Sequence, residues 1–280
     1  ADDYSASVID STFEKTLKKL VHDANNILTF MASNCLFVNE SKTTFIIFSR
    51  KEHDHSTVIK VGKSHICEVD EQKLLGVTFS SDLKWKRHIE SLTEKLRNRI
   101  YLLRHLSHFF THSALKIVSE GLVTSHIRYC LPLFGRIRLS DWDPKNSEQE
   151  KLQVIHNQMI RSLHSLKIKD KINMTKLRNA KNISSINQMT FQSIAITEMR
   201  KSIHHNTLPQ TFSSICESCT LVRRTRSHSQ SIFRPLKCHL NSTMSSFSSK
   251  AISVWNKLTT ELHDPNLSDS SFKKYFNKTK

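Results

Sequence analysis

The spacing of apolar residues changes at Trp85, and no other feature restricts the folds open to this 280-residue chain as strongly. Beyond it, Ile89, Leu92, Leu96, Ile100, Leu103 and Leu106 recur at three- and four-residue steps, the repeat that gathers side chains onto one stripe of an α-helix. Before it, apolar residues mostly come in short β-branched or aromatic runs suited to strands. The chain therefore reads as α+β at its start and helical afterwards.

The early region can be divided further. Residues 4–9 are short enough for a strand, and Ser11-Thr12-Phe13-Glu14 has the form of a capping box that opens a helix. Phe13, Leu17, Leu20, Ala24, Ile27 and Met31 would form its apolar stripe. Residues 43–48, Thr-Thr-Phe-Ile-Ile-Phe, read as a strand buried on both faces. Residues 58–61 and 64–69 flank Gly62-Lys63 as the arms of a hairpin, and residues 74–79 predict one more strand. After the helix that follows Trp85, helices are expected over 114–124 and over the stretch carrying Leu152, Ile155, Met159, Leu163 and Leu166. The segment 167–181 is basic and weakly apolar and suggests a boundary, giving regions 1–83, 84–170 and 171–280. The last of these is Ser/Thr-rich, with an apolar cluster at Ile252, Val254, Trp255 and Leu258.

Charge divides the chain at the same place as the apolar repeat. Residues 1–83 carry 9 Lys/Arg against 12 Asp/Glu, whereas residues 84–280 carry 33 against 13, so the net charge of +17 belongs wholly to the later part. Such a field attracts polyanions and releases their counterions on binding, which points to nucleic acid or an anionic membrane surface. With only 4 glycines, a phosphate-cradling P-loop or a dinucleotide-binding turn is excluded. No apolar run approaches membrane-spanning length, and the start has neither a basic nor an apolar signal-peptide region, so no membrane span or signal peptide is expected, and without an initiator methionine the sequence reads as a fragment. Six cysteines over this length do not make a disulfide scaffold, which favours a reducing compartment, the nucleus and cytoplasm.

Several residues are candidates for chemistry. Asp2 and Asp3 are adjacent carboxylates of the kind that hard divalent ions prefer, or simply an acidic start. Lys86, Arg87, Lys95, Arg97, Arg99 and Arg104 lie off the apolar stripe of the helix after Trp85 and are placed to meet phosphates. The Trp85 ring itself is expected in a core. Cys216 and Cys219 form a C-x-x-C, with Cys238 and His239 further on, which is a zinc ligand set by type but lacks the regular spacing of the second pair. His105, His108 and His112 read as a helix end and not as ligands.

The order of the segments resembles the latter part of the reverse transcriptase of jockey-like non-LTR retrotransposons. In that family an x-A-D-D turn, a helix, an N-x-x-K-T strand, a K-x-L-G-V strand and an L-x-W-x-x-H-I entry into a helix follow one another. Here the matching positions are Ala1-Asp2-Asp3, Asn39 to Thr43, Lys73 to Val77 and Leu83 to Ile89. RYCLPLFG at 128–135 resembles the family's tyrosine, proline and W-G segment, with Phe134 in place of tryptophan. LQVIHNQMIRSL at 152–163 resembles its L-x-x-x-Q/H-N-x-x-x-R helix, and SVWNKL its closing W-N-x-L-P element. The resemblance implies a C-terminal remnant of a polymerase palm, a helical thumb and a basic extension. It implies that Asp2 and Asp3 hold Mg2+ in the intact parent, that Lys42 acts as general acid toward the leaving pyrophosphate, and that Gly76 lies where the primer strand is gripped. The implied partners are an RNA template and a DNA primer, with the element RNA carried as a ribonucleoprotein.

Each of these roles has a plainer counterpart: Lys42 as a solvated strand end, Gly76 as an ordinary strand glycine. The resemblance also implies a first palm carboxylate and fingers that this sequence does not contain, so catalysis by the chain alone is not expected. Three functions remain open on the sequence: a piece of an RNA-directed DNA polymerase, a non-catalytic nucleic-acid-binding module, and a zinc-stabilised interaction protein.

Overall fold

The computed structural model describes residues 4–39, 42–49, 56–135, 147–167, 169–195 and 247–258, together with Met199, Leu262, residues 267–268, 270–272 and Lys274. It combines helices with short antiparallel strands, and it divides into two compact units, Ala1–His88 and Ile89–Lys280.

In the first unit one helix packs on a hairpin. Helix α1 (Phe13–Ser33) is capped by Thr12, whose Oγ1 accepts the Lys15 N–H at 3.4 Å. The cap is thus one residue later than the expected box, and Glu14 falls at N2, where it meets the positive end of the helix. Strands β1 (Val58–Val61) and β2 (Ser64–Cys67) pair in the expected hairpin. Ile59, Val61 and Ile66 face α1, which covers them with Leu17, Leu20, Val21, Ala24 and Leu28. Asn25 joins helix and turn: its Oδ1 accepts the Gly62 N–H at 2.9 Å while its Nδ2 donates to Val21 O. Gly62 needs to be glycine twice over, because its φ is +61° and a Cβ there would lie 3.1 Å from Leu28 Cδ1.

Three strand expectations do not hold. Residues 4–9 form no strand, and Ile9 is 88% exposed; no described strand lies beside them to supply a ladder. Residues 43–48 are not a strand buried on both faces either. They make a single parallel bridge, Phe45 to Glu68, and Phe48 is half exposed, because β2 is already paired with β1 and continues to Glu68 for one residue only. Residues 74–79 are not one strand but the tip of a second hairpin, β3 (Glu71–Leu74) with β4 (Val77–Ser80). Leu75 and Gly76 take φ of 46° and 84°, and two consecutive left-handed residues turn the chain back as in a type I′ hairpin.

Helix α2 (Lys86–Leu106) follows. The joint before it is tied by Asp82, whose Oδ1 accepts the Lys84 N–H at 2.9 Å and lies 2.7 Å from Ser80 Oγ. Burial tends to raise the Asp82 pKa, but these hydrogen bonds and the Lys84 ammonium outweigh it, leaving it below the usual carboxylate range. Trp85 meets Phe79 edge-on at 5.5 Å, consistent with a packing role for its ring.

In the second unit α2 presents Ile89, Thr93, Leu96, Ile100 and Leu103 to a core. Helix α3 (His112–Ser119) widens into a π-turn at Glu120–Thr124 and resumes as α4 (Ser125–Arg128), so the expected helix runs slightly past its predicted end. A short helix, α5 (Leu131–Phe134), is followed by α6 (Ser147–Leu163), which buries Leu152, Ile155, Met159, Ile160 and Leu163. Helix α7 (Met174–Ala180) falls within the basic segment, α8 (Ile186–Ser193) follows it, and both are linked back to α6. Asn157 Oδ1 accepts from Arg178 Nη1 at 2.7 Å and from Gln153 Nε2 at 3.0 Å, and Gln153 Oε1 accepts the Ile186 N–H at 2.9 Å. Helix α9 (Phe247–Asn256) adds Ala251, Val254 and Trp255 to a core shared with Ile194, Ala195, Met199, Leu258, Leu262 and Phe272.

Candidate nucleic-acid interface

A helix that buries one stripe must expose the rest, and α2 fills much of the exposed surface with cations. At 3.6 residues per turn Ile89, Thr93, Leu96, Ile100 and Leu103 occupy about a quarter of the circumference of α2. Lys86, Arg87, Lys95, Arg97 and Arg104 are all exposed. The six basic positions singled out on the sequence are nevertheless not equivalent.

Arg87 is paired with the Glu71 carboxylate of β3. Arg99 turns inward: its Nη1 donates to Leu122 O at 2.9 Å and lies 2.8 Å from Nδ1 and 2.7 Å from Nε2 of His126. Leu122 sits in the π-turn, where the wider winding of the backbone accompanies a carbonyl turned toward this guanidinium. The neighbouring charges bear on His126, whose pKa is lowered first by burial and then by Arg99 and Lys95, so the imidazole stays neutral beside the arginine. Arg99 is therefore committed to holding α2 on the following helices. Lys86, Lys95, Arg97 and Arg104 are the cations that α2 offers outward.

Within the second unit, Arg97 and Arg104 fall on the same ridge of α2, seven residues apart, and Tyr101 stands between them at i+4 and i+7 spacing. Tyr101 is 64% exposed, and the His105 ring meets it at 4.4 Å with the planes inclined by 75°. Tyr101 is not among the candidates drawn from the sequence; its helical spacing from the two arginines is the signal that could have found it. Glu90, further back on α2, is neutralised by Lys151 of α6 at 3.1 Å.

The remaining candidates are scattered. Lys42 is exposed, just before the segment that bridges to β2. Gly76 is the second residue of the β3–β4 turn, where its positive φ gives it a conformational reason to be glycine. Asp2 and Asp3, and Cys216, Cys219, Cys238 and His239, lie outside the described residues. Among the described residues no group of three or more His, Cys, Asp or Glu side chains could hold a metal ion, and Cys35, Cys67 and Cys130 are free thiols. No described helix is long and apolar enough to cross a membrane.

The motif residues of α6 are structural in character. His156 is buried, neither ring nitrogen has a hydrogen-bond partner among the described residues, and burial, then Arg178 and Arg128, lower its pKa to about 4. Arg161 donates to Lys167 O at 2.8 Å and Asp170 O at 3.2 Å, fastening the chain after the helix. No family model, curated protein or solved structure matches the chain.

Proposed function

We propose that this chain is the palm end and thumb of an RNA-directed DNA polymerase of the non-LTR retrotransposon kind, and that by itself it binds nucleic acid without catalysing polymerisation. The observation that carries the binding half is the exposed cationic surface of α2, Lys86, Lys95, Arg97 and Arg104, in a region with a net charge of +20. The ancestry half rests on the ordered motifs, from Ala1-Asp2-Asp3 through Lys73–Val77 and Leu83–Ile89 to the α6 sequence. In the intact parent, Asp2 and Asp3 would hold Mg2+ and Lys42 would stand near the leaving pyrophosphate. The partners of the parent would be an RNA template and a DNA primer.

Phosphates bound by these cations release counterions, so affinity should fall steeply as salt rises. The test is fluorescence anisotropy of the full chain with a labelled primer–template duplex across a salt series. Changing Lys86, Lys95, Arg97 and Arg104 together to Gln should flatten the slope of log affinity against log salt by about 0.9 for each phosphate no longer neutralised. Changing the exposed Lys18, Lys19, Lys60 and Lys63 of the first unit should leave the slope nearly unchanged. Equal flattening by both quartets would reduce the binding to nonspecific attraction and remove the role of α2.

A further inference from the structure

The ridge Arg97–Tyr101–Arg104 combines two kinds of contact that a polynucleotide strand satisfies and few other ligands do. We propose that Tyr101 is a stacking platform for an unpaired base, with Arg97 and Arg104 holding the phosphates on either side, so that α2 carries a single-strand site. This rests on the nucleic-acid reading of α2 given above and adds to it a specific form of ligand.

Three observations support the assignment. Tyr101 is 64% exposed, so its ring is open to a ligand. His105, one turn on, meets the ring at 75°, an edge contact that restricts the ring's rotation while the side chain remains mostly open to solvent. Arg97 and Arg104, both exposed, lie one turn before and about one turn after Tyr101, spanning about 10 Å of helix. A flat ring between two cations suits a nucleotide whose base is unstacked and whose backbone passes on both sides. A base inside a duplex is already stacked and leaves no face for Tyr101, so the duplex can use the two arginines but not the ring. The acidic residues bound the site. Glu90 is neutralised by Lys151, and Glu94, three residues before Arg97, marks the end of the ridge at which an anionic strand must turn away.

The proposal separates two contributions that respond differently to salt. Stacking on an aromatic ring releases no counterion, whereas the arginine contacts do. The experiment titrates the full chain with a labelled oligo-uridine single strand and with a blunt RNA duplex across salt, for wild type and for the Tyr101→Ala, Tyr101→Phe and Arg97→Gln/Arg104→Gln variants. Tyr101→Ala should weaken single-strand binding about tenfold, the range for loss of one stacked base, with the salt slope unchanged and duplex binding unaffected. Tyr101→Phe should bind as wild type does, which shows that a folded helix with a ring suffices. The double arginine variant should flatten the single-strand slope by about 0.7 per phosphate. Equal loss on single strand and duplex, or no loss with Tyr101→Ala, would overturn the stacking site while leaving nucleic-acid binding by α2 in place. Absence of wild-type binding to either ligand would overturn both. Competition by poly-glutamate as effective as that by oligo-uridine would show an acidic-peptide surface instead and overturn the assignment.

Discussion

The two compact units are held together in different ways, and the more basic one has the deeper described core. In the first unit a single helix lies on a two-stranded hairpin, no residue of α1 is fully buried, and the hairpin contributes Ile59, Val61 and Ile66 to a thin core. In the second, Leu96, Leu103, Ile127, Leu131, Leu152, Ile160 and Ile186 are all essentially inaccessible. A region with an interior of that depth can carry self-repelling cations on its surface and stay folded, because apolar burial contributes about 25 cal/mol per Å² whereas exposed charges interact through water. Lys95, Arg97 and Arg104, cations that would attract a polyanion, are on this second unit.

The sharpest way to break this comparison is to remove the same side chain from both units. Leu96→Ala should destabilise the second unit by about 2–5 kcal/mol, while Leu20→Ala, on the half-buried face of α1, should cost about half as much or less, as measured by urea denaturation. Comparable losses would show that the first unit is not the thinner one.

Acid should distinguish the units next. The His156 pKa is about 4 when folded and near 6.5 when unfolded, so the unfolded chain takes up the proton first as pH falls. Stability of the second unit is complete above about pH 6.5 and should decline through the window down to about pH 4, by about 3 kcal/mol. His156→Leu should remove most of that decline, leaving the smaller part that belongs to His126 and His164, whose pKa values burial also lowers; an unchanged pH profile in the variant would assign the decline to other groups.

A somewhat smaller effect is expected at Lys250 of α9, whose Nζ donates to Gly135 O at 2.8 Å and approaches Leu133 O at 3.4 Å. Lys250→Met keeps the stem and removes the donor, leaving the carbonyls that close α5 short of a partner, at a cost of about 1.5–3 kcal/mol. Thermal unfolding monitored at Trp255 would read it. Smallest, and opposite in sign, is Leu75→Asn in the first unit. Asn tolerates the left-handed conformation that Leu75 adopts and completes an Asn-Gly type I′ turn, so the β3–β4 hairpin should gain about 0.5–1 kcal/mol. A loss there would mean that the exposed leucine makes a contact worth more than its backbone strain.

How much of this was legible in the sequence depended on whether a pattern was carried by several residues or by one. Helices α2 and α6 follow from periodic apolar positions and the β1–β2 hairpin from two short runs flanking Gly62-Lys63, and the burial of Leu96, Ile100 and Leu103 matches the stripe. The split of residues 74–79 turns on the positive φ of Leu75, a leucine whose type gives no notice of it. Residues 43–48 have the composition of a buried strand, but a strand also needs a free neighbouring edge, and composition does not report one. The interface was partly legible. The cations of α2 follow from their positions off the stripe, whereas the inward commitment of Arg99 depends on the π-turn that brings Leu122 O and His126 to it. Tyr101 could have been found by asking which residues lie between Arg97 and Arg104 on one ridge.

The central claim, that nucleic acid is bound by α2 and not by the first unit at large, is tested most directly by lysine footprinting of the full chain. Acetylation of the protein alone and with saturating RNA, read by mass spectrometry, compares Lys86 and Lys95 with Lys18, Lys60 and Lys63, all of which are exposed. The account predicts that RNA protects Lys86 and Lys95 severalfold and leaves the other three unchanged. Equal protection at all five lysines, or protection confined to Lys18, Lys60 and Lys63, would contradict it.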